Sequence, residues 1–205
     1  MNVTTLQETE IEPISLDLAG TLMTPEEFDS AEDWDEFYAY ELIGGVLIVS
    51  PSPSPMERGS TDFLGTILNL YQWQHPQGSA LDATLPEHTI RSGRNRRRAD
   101  RAIWAGLGRM PDPLNDIPTI AVEIVSRGRR NRQRDYVEKR VEYLAAGVRE
   151  YWVIDRYRRT MTVFLAGEEK VVAEPETYRT PLLPGFELIL AKLLAESDRW
   201  TDRES

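Results

Sequence analysis

The chain contains no cysteine and only two histidines, His75 and His88. Disulfides, thiolate nucleophiles, iron–sulfur clusters and Cys/His zinc sites are therefore excluded. Lysine is nearly missing as well: Lys139, Lys170 and Lys192 are the only three, so arginine carries almost all the positive charge. No apolar run approaches the ~20 residues that a membrane helix needs. No basic start leads into a hydrophobic stretch as in a secretory signal. A non-membrane, cytoplasmic protein is the expectation. Phosphate-binding and dinucleotide glycine fingerprints are absent, as is a nucleophile-elbow serine.

What is present is a 205-residue chain, 40% hydrophobic, long enough to bury a core without staples. Its net charge of −10 is unevenly spread. Residues 1–42 hold twelve acids and no base, whereas residues 91–140 hold fourteen bases and six acids. A strongly basic stretch inside an acidic protein points to an anionic partner at one surface, or to a solvated arginine-rich loop.

Residues 1–23 are polar and unpatterned and read as a loose acidic tail, leaving 24–198 as one domain. Thr24-Pro25-Glu26-Glu27 carries a capping box with proline in the first turn, a helix start. Tyr40-Glu41-Leu42 leads through Gly44-Gly45 into the β-branched strand Val46–Val49, which the Pro-Ser alternation of 51–55 ends. Phe63, Leu64, Ile67, Leu68 and Tyr71 recur at helical spacing. Short strands with basic turns are expected over 80–110. Thr119–Ser126 is an almost unbroken apolar strand of the kind covered on both faces. A helix follows from about Arg132 to Ala146, then a strand over Arg149–Asp155, a hairpin over 161–172 and a last helix carrying Leu190, Leu193 and Leu194. This order predicts an α/β domain with a central mixed sheet flanked by helices.

Glu123 lies in the middle of the apolar strand, and a buried carboxylate needs a cation or hydrogen bonds to compensate it. Its partner is either an arginine, making a structural ion pair, or a metal. Asp100 precedes another strand-like stretch, Ala102-Ile103-Trp104. Were the two strands neighbours, the two acids could converge, and a pair of hard oxygen ligands suits Mg²⁺ with phosphate oxygens completing its shell.

Several pieces occur in a particular order: Tyr40-Glu41-Leu42 with Gly45, Ser50-Pro51, Asp100, Val122-Glu123-Ile124-Val125-Ser126, Asp135-x₃-Lys139-x₃-Tyr143, and Gly147-Val148-x-Glu150-Tyr151-Trp152-x-x-Asp155. In this the chain resembles the Uma-two family of restriction-endonuclease-like proteins, within the PD-(D/E)XK nuclease superfamily, over residues 24–195. The resemblance implies a restriction-endonuclease-like fold and a Mg²⁺- or Mn²⁺-dependent endodeoxyribonuclease acting on DNA. It makes Asp100 and Glu123 the metal ligands, Glu41 an accessory acid, and Lys139 the catalytic lysine, moved from the strand onto the following helix. Proteins of this fold often act as homodimers. Three departures stand out: Ala99 replaces the usual proline before the aspartate, Val125 occupies the usual lysine position, and Met56-Glu57-Arg58 stands where relatives have a histidine.

Against a catalytic Lys139 stands the helical wheel. Val137, Val141 and Leu144 form the apolar stripe, and Lys139 falls roughly 160–200° from the two valines. It could equally form a surface pair with Asp135. Tyr143 reads as packing, and both histidines as surface or loop residues. Arg96, Arg97, Arg98, Arg129, Arg130 and Arg132 are the candidate nucleic-acid contacts, holding phosphates by charge. The alternative to an enzyme is an inactive DNA-binding or interaction module that keeps the fold.

Overall fold

The computed structural model describes residues 16–31 and 34–200. Thr24 caps helix α1 (Pro25–Ser30) through the expected box with Glu27, and Ser54 caps α2 (Pro55–Gln74) in the same way with Glu57. Strands β1 (Tyr38–Ile43) and β2 (Val46–Pro51) form a hairpin around Gly44 and Gly45, both at positive φ. The region expected to hold short strands is instead one long hairpin, β3 (Leu81–Ser92) and β4 (Asn95–Ala105). Gly93 at φ 56° makes the tight turn between them. β5 (Ile120–Ile124) and β6 (Glu150–Asp155) run parallel and are buried along their whole lengths. Burial on both faces accounts for their continuous apolar patterns. β7 (Thr160–Leu165) and β8 (Glu168–Ala173) complete the sheet. A two-stranded ribbon, β9 (Thr177–Tyr178) with β10 (Leu188–Ile189), leads into α5 (Leu190–Asp198).

The sheet order is β2-β1-β4-β5-β6-β7-β8, with β3 on the other edge of β4. Leu64, Leu68 and Tyr71 of α2 and Leu190, Leu193 and Leu194 of α5 pack with Ile103, Val122 and Trp152 on one face. On the other face Tyr143 packs with Ala121, Val125, Tyr151 and Phe164. The result is a helix–sheet–helix sandwich around a mixed sheet.

Residues 1–15 of the expected tail lie outside the described residues. From Leu16 onward the chain is laid along β2: Gly20 N–H donates to Leu47 O at 2.8 Å, Leu47 N–H to Thr21 O at 2.9 Å, and Met23 N–H to Gly45 O at 2.9 Å. The stretch just before residue 24 thus packs on the domain.

The crossover from β5 to β6 departs most from expectation. It starts earlier, as α3 (Arg129–Gln133), widens into a π-helical turn (Arg134–Glu138), and resumes as α4 (Lys139–Ala146). The wheel drawn from the sequence is inverted here. Val137 and Val141 are 46% and 64% exposed, whereas Lys139 and Tyr143 are 3% and 0% exposed. Charged partners beneath the helix, rather than the valines, set which side faces the sheet. Val141→Lys should therefore change stability by no more than about 0.5 kcal/mol, where a core valine would cost several times that; chemical denaturation measures the difference.

Candidate active site

The geometry begins with an interruption in the sheet. β3 occupies one edge of β4 throughout, so β1 and β5 must share the other. β1 pairs at Leu42–Arg96, and β5 pairs over Arg101–Ile103 with Val122–Ile120. Between these pairings β4 has no strand beside it on that edge, and the sheet forks. Unpaired backbone groups still need partners. Side chains supply them: Glu41 Oε1 accepts from Arg98 N–H at 2.9 Å, Lys139 Nζ donates to Arg98 O at 2.6 Å, and Asp100 Oδ2 accepts from Ile124 N–H at 2.5 Å.

Continuing the β4–β5 register by one step places Asp100 opposite Glu123. Residues directly opposite in an antiparallel pair share a face, which is why two acids 23 positions apart meet. Neither is paired with an arginine among the described residues. Lys139 Nζ lies 2.9 Å from Glu123 Oε1 and 3.4 Å from Glu41 Oε1. Tyr143 Oη donates to the same Glu123 oxygen at 3.1 Å, so this tyrosine, read as packing, also belongs to the site. Asp135 and Lys139 do not form the surface pair that their spacing allowed. Both are buried; Asp135 binds Arg134 at 2.8 Å and Lys139 binds Glu123.

Glu41, Asp100, Glu123 and Lys139 all line one cleft of about 580 Å³. The structure adds Glu87, Asn131 and Arg156, which sequence reasoning passed over, and brings Glu57, Arg127 and Arg134 into the same cleft. Glu87 lies in β3 at φ 50°, an uncommon conformation for a non-glycine residue, and its carboxylate takes Arg98 Nε at 2.8 Å. Nothing in the local pattern of residues 80–92 marks it. Ser126 donates a hydrogen bond to Glu57.

Electrostatics divides the acids into two kinds. Burial pushes the Asp100 carboxyl up to about 7, with Lys139 opposing and Glu87 reinforcing the rise. Burial also raises Glu123 well above the usual carboxylate range, assisted by Asp100 and opposed by Lys139. Glu41 moves the other way: burial is outweighed by Lys139, Arg97 and the Arg98 N–H, so it is held ionised. Burial alone would lower Lys139, but Glu123 and Glu41 keep it charged.

Two of the six candidate phosphate contacts are spent inside the protein. Arg96 is buried against Asp29, at 2.8 and 2.7 Å. Arg97 is 1% exposed and grips Glu142 at 2.8 and 2.7 Å. An arginine buried in a bidentate carboxylate pair is neutralised and out of reach of a phosphate at the surface. Arg98 lines the cleft, Arg132 is paired with Asp155 at 3.0 Å, and Arg129 and Arg130 are exposed. His88, expected at the surface, packs edge-on to Trp104 at 4.9 Å.

A mixed sheet between helical layers, with an acid-and-lysine cleft at its fork, is a nuclease-like α/β architecture. It matches a crystal structure described as "a putative nuclease belonging to DUF820 from Anabaena variabilis", with TM-score 0.67 and 18% identity over 85% of this chain and 99% of that one. That likeness is one of fold. A family model described as "Putative restriction endonuclease", Uma2, matches residues 25–192, and the chain belongs to that family. No curated protein matches the sequence. No helix among the described residues is long and apolar enough to cross a membrane.

The raised Asp100 carboxyl has a measurable consequence. The folded protein holds a proton that the unfolded chain has lost, so this group's contribution to stability is full below about pH 4 and falls away as pH rises toward 7. Asp100→Asn should remove that slope and leave the variant more stable than the parent at pH 8, by roughly 2 kcal/mol after allowing for solvent screening. Urea titrations at pH 4.5 and 8 test both parts.

Proposed function

We propose that this chain is a divalent-cation-dependent deoxyribonuclease that hydrolyses phosphodiester bonds in the cleft at the sheet fork. The observation that carries the reading is the pairing of Asp100 with Glu123 on one face, each keeping one carboxylate oxygen free of hydrogen bonds among the described residues. Two free hard oxygens in an open cleft fit Mg²⁺ or Mn²⁺, which need one or two carboxylates and take water and phosphate for the rest. Among the described residues no three His, Asp or Glu side chains gather as a metal cluster, so a cage-binding ion such as Ca²⁺ fits less well. When bound, such a cation supplies positive charge against the charge developing on the phosphoryl oxygens and acidifies water.

The protein's own part is orientation. Lys139 and Tyr143 both bind Oε1 of Glu123, which fixes the carboxylate plane and leaves Oε2 as the free oxygen. The Ile124 N–H does the same for Asp100 by occupying Oδ2. Glu41 holds Lys139 charged from the other side, so the ammonium contributes a fixed positive charge beside the reacting phosphate.

One observation favours the second reading, an inactive DNA-binding module. Lys139 is engaged by Glu123, Glu41 and Arg98 O, and no lysine follows Glu123 on its strand, where Val125 is core. The two readings separate cleanly. With Mg²⁺ or Mn²⁺ the protein should nick plasmid DNA, and Asp100→Asn or Glu123→Gln should reduce cutting at least 100-fold with folding intact. Lys139→Met should lose activity and also stability, because it strands a buried acid. Salt-sensitive DNA retention with no cation-dependent nicking would establish the inactive module instead.

A further inference from the structure

The cleft extends beyond its acids. β5 and β6 are parallel, with Ile124 beside Ile154, so the chain leaves the sheet at Ser126-Arg127 next to Arg156-Tyr157. Open α/β sheets bind ligands outside the carboxyl ends of such strands. Arg127, Asn131, Arg134, Arg156 and Tyr157 line the same cleft as Glu41, Glu87, Asp100 and Glu123.

Arg156 is the unusual member. Its Nε–H is buried with no hydrogen-bond partner among the described residues. Its Nη2 donates to Tyr157 Oη at 2.6 Å, and its guanidinium lies 4.7 Å from the Tyr157 ring centroid. Neither Arg156 nor the exposed Arg127 has an ion-pair partner among the described residues. The backbone that presents Arg156 is nevertheless fixed. Buried Asp155 accepts from Tyr157 N–H and Arg158 N–H, both at 3.0 Å, and pairs with Arg132. A native fold rarely leaves a buried donor without a partner. A guanidinium fork matches phosphate oxygens in shape as well as charge.

We infer that this end of the cleft is a phosphate subsite, in which Arg156 and Arg127 hold a backbone phosphate flanking the one to be cut. Arg134 contributes charge but not its Nε, which Asp135 takes at 2.8 Å. The inference rests on the nucleic-acid reading above, yet concerns binding alone, so it can be tested without cleavage.

The experiment uses the full chain in EDTA and a fluorescein-labelled single-stranded oligodeoxynucleotide, with anisotropy followed across a salt series. Arg156→Gln and Arg127→Gln should each weaken binding by about tenfold and flatten the salt dependence by roughly 0.7 per lost phosphate contact. Inorganic phosphate alone should raise the melting temperature of the parent and not that of Arg156→Gln. Unchanged affinity and slope in both variants would overturn the subsite. Should Arg156→Gln fail to fold, Arg127→Gln and the phosphate-induced shift of the parent decide it, and no shift counts against the subsite. Binding that depends on Arg156 in a protein that cuts nothing removes the nuclease and leaves the subsite, and the reverse result does the opposite.

Discussion

The ammonium of Lys139 is where the fold and the site meet. Its three partners come from three different strands: it donates to Glu123 on β5 and to the Arg98 carbonyl on β4, and pairs by charge with Glu41 on β1. These strands come together where the sheet forks, so the cation stands in for ladder hydrogen bonds that the backbone cannot make there. Taken alone, a buried ammonium or carboxylate is strongly disfavoured. Together the groups satisfy one another, and any one of them removed leaves the others uncompensated. Helix α4 is consequently turned by its lysine, with Val141, and Val137 in the π turn before it, facing water.

The same accounting explains the uneven charge of the chain. Much of the basic run is neutralised internally: Asp29 of the acidic first segment takes Arg96 and Arg91, while Glu142 and Glu41 attend Arg97. A charge total over residues 91–140 therefore overstates the cations open to an anionic ligand. Those without an internal partner include Arg127 in the cleft and Arg129 and Arg130, exposed at the start of α3; Arg156, beyond that run, joins Arg127 in the cleft. Charge density in sequence and charge density at a surface are different quantities.

Much of the fold could be read beforehand because its signals are local. The capping box at Thr24 closes within one turn, and the helical spacing of Leu64, Leu68 and Tyr71 marks the side of α2 that meets the core. The unbroken apolar run of β5 announces burial on both faces. The long β3–β4 hairpin was harder to see, since its polar residues face a cleft and ion pairs rather than water. Alternation there reports the site instead of the surface.

Chemical type singled out Glu123, because an acid inside an apolar strand demands a partner wherever it lies; the resemblance in residue order brought in Glu41 and Lys139 beside it and Asp100. Residue order could not decide which arginines face a ligand, that Tyr143 binds Glu123, or that Glu87 and Arg156 join the cleft. Those depend on register across β4 and β5, on the π turn that sets the phase of α4, and on parallel strands ending together. Each is a long-range relation fixed only when the whole sheet closes. Sequence by itself thus determined which groups needed compensation. Tertiary structure alone decided which group compensates which, because partners in a folded chain are set by distance in space and not along the backbone.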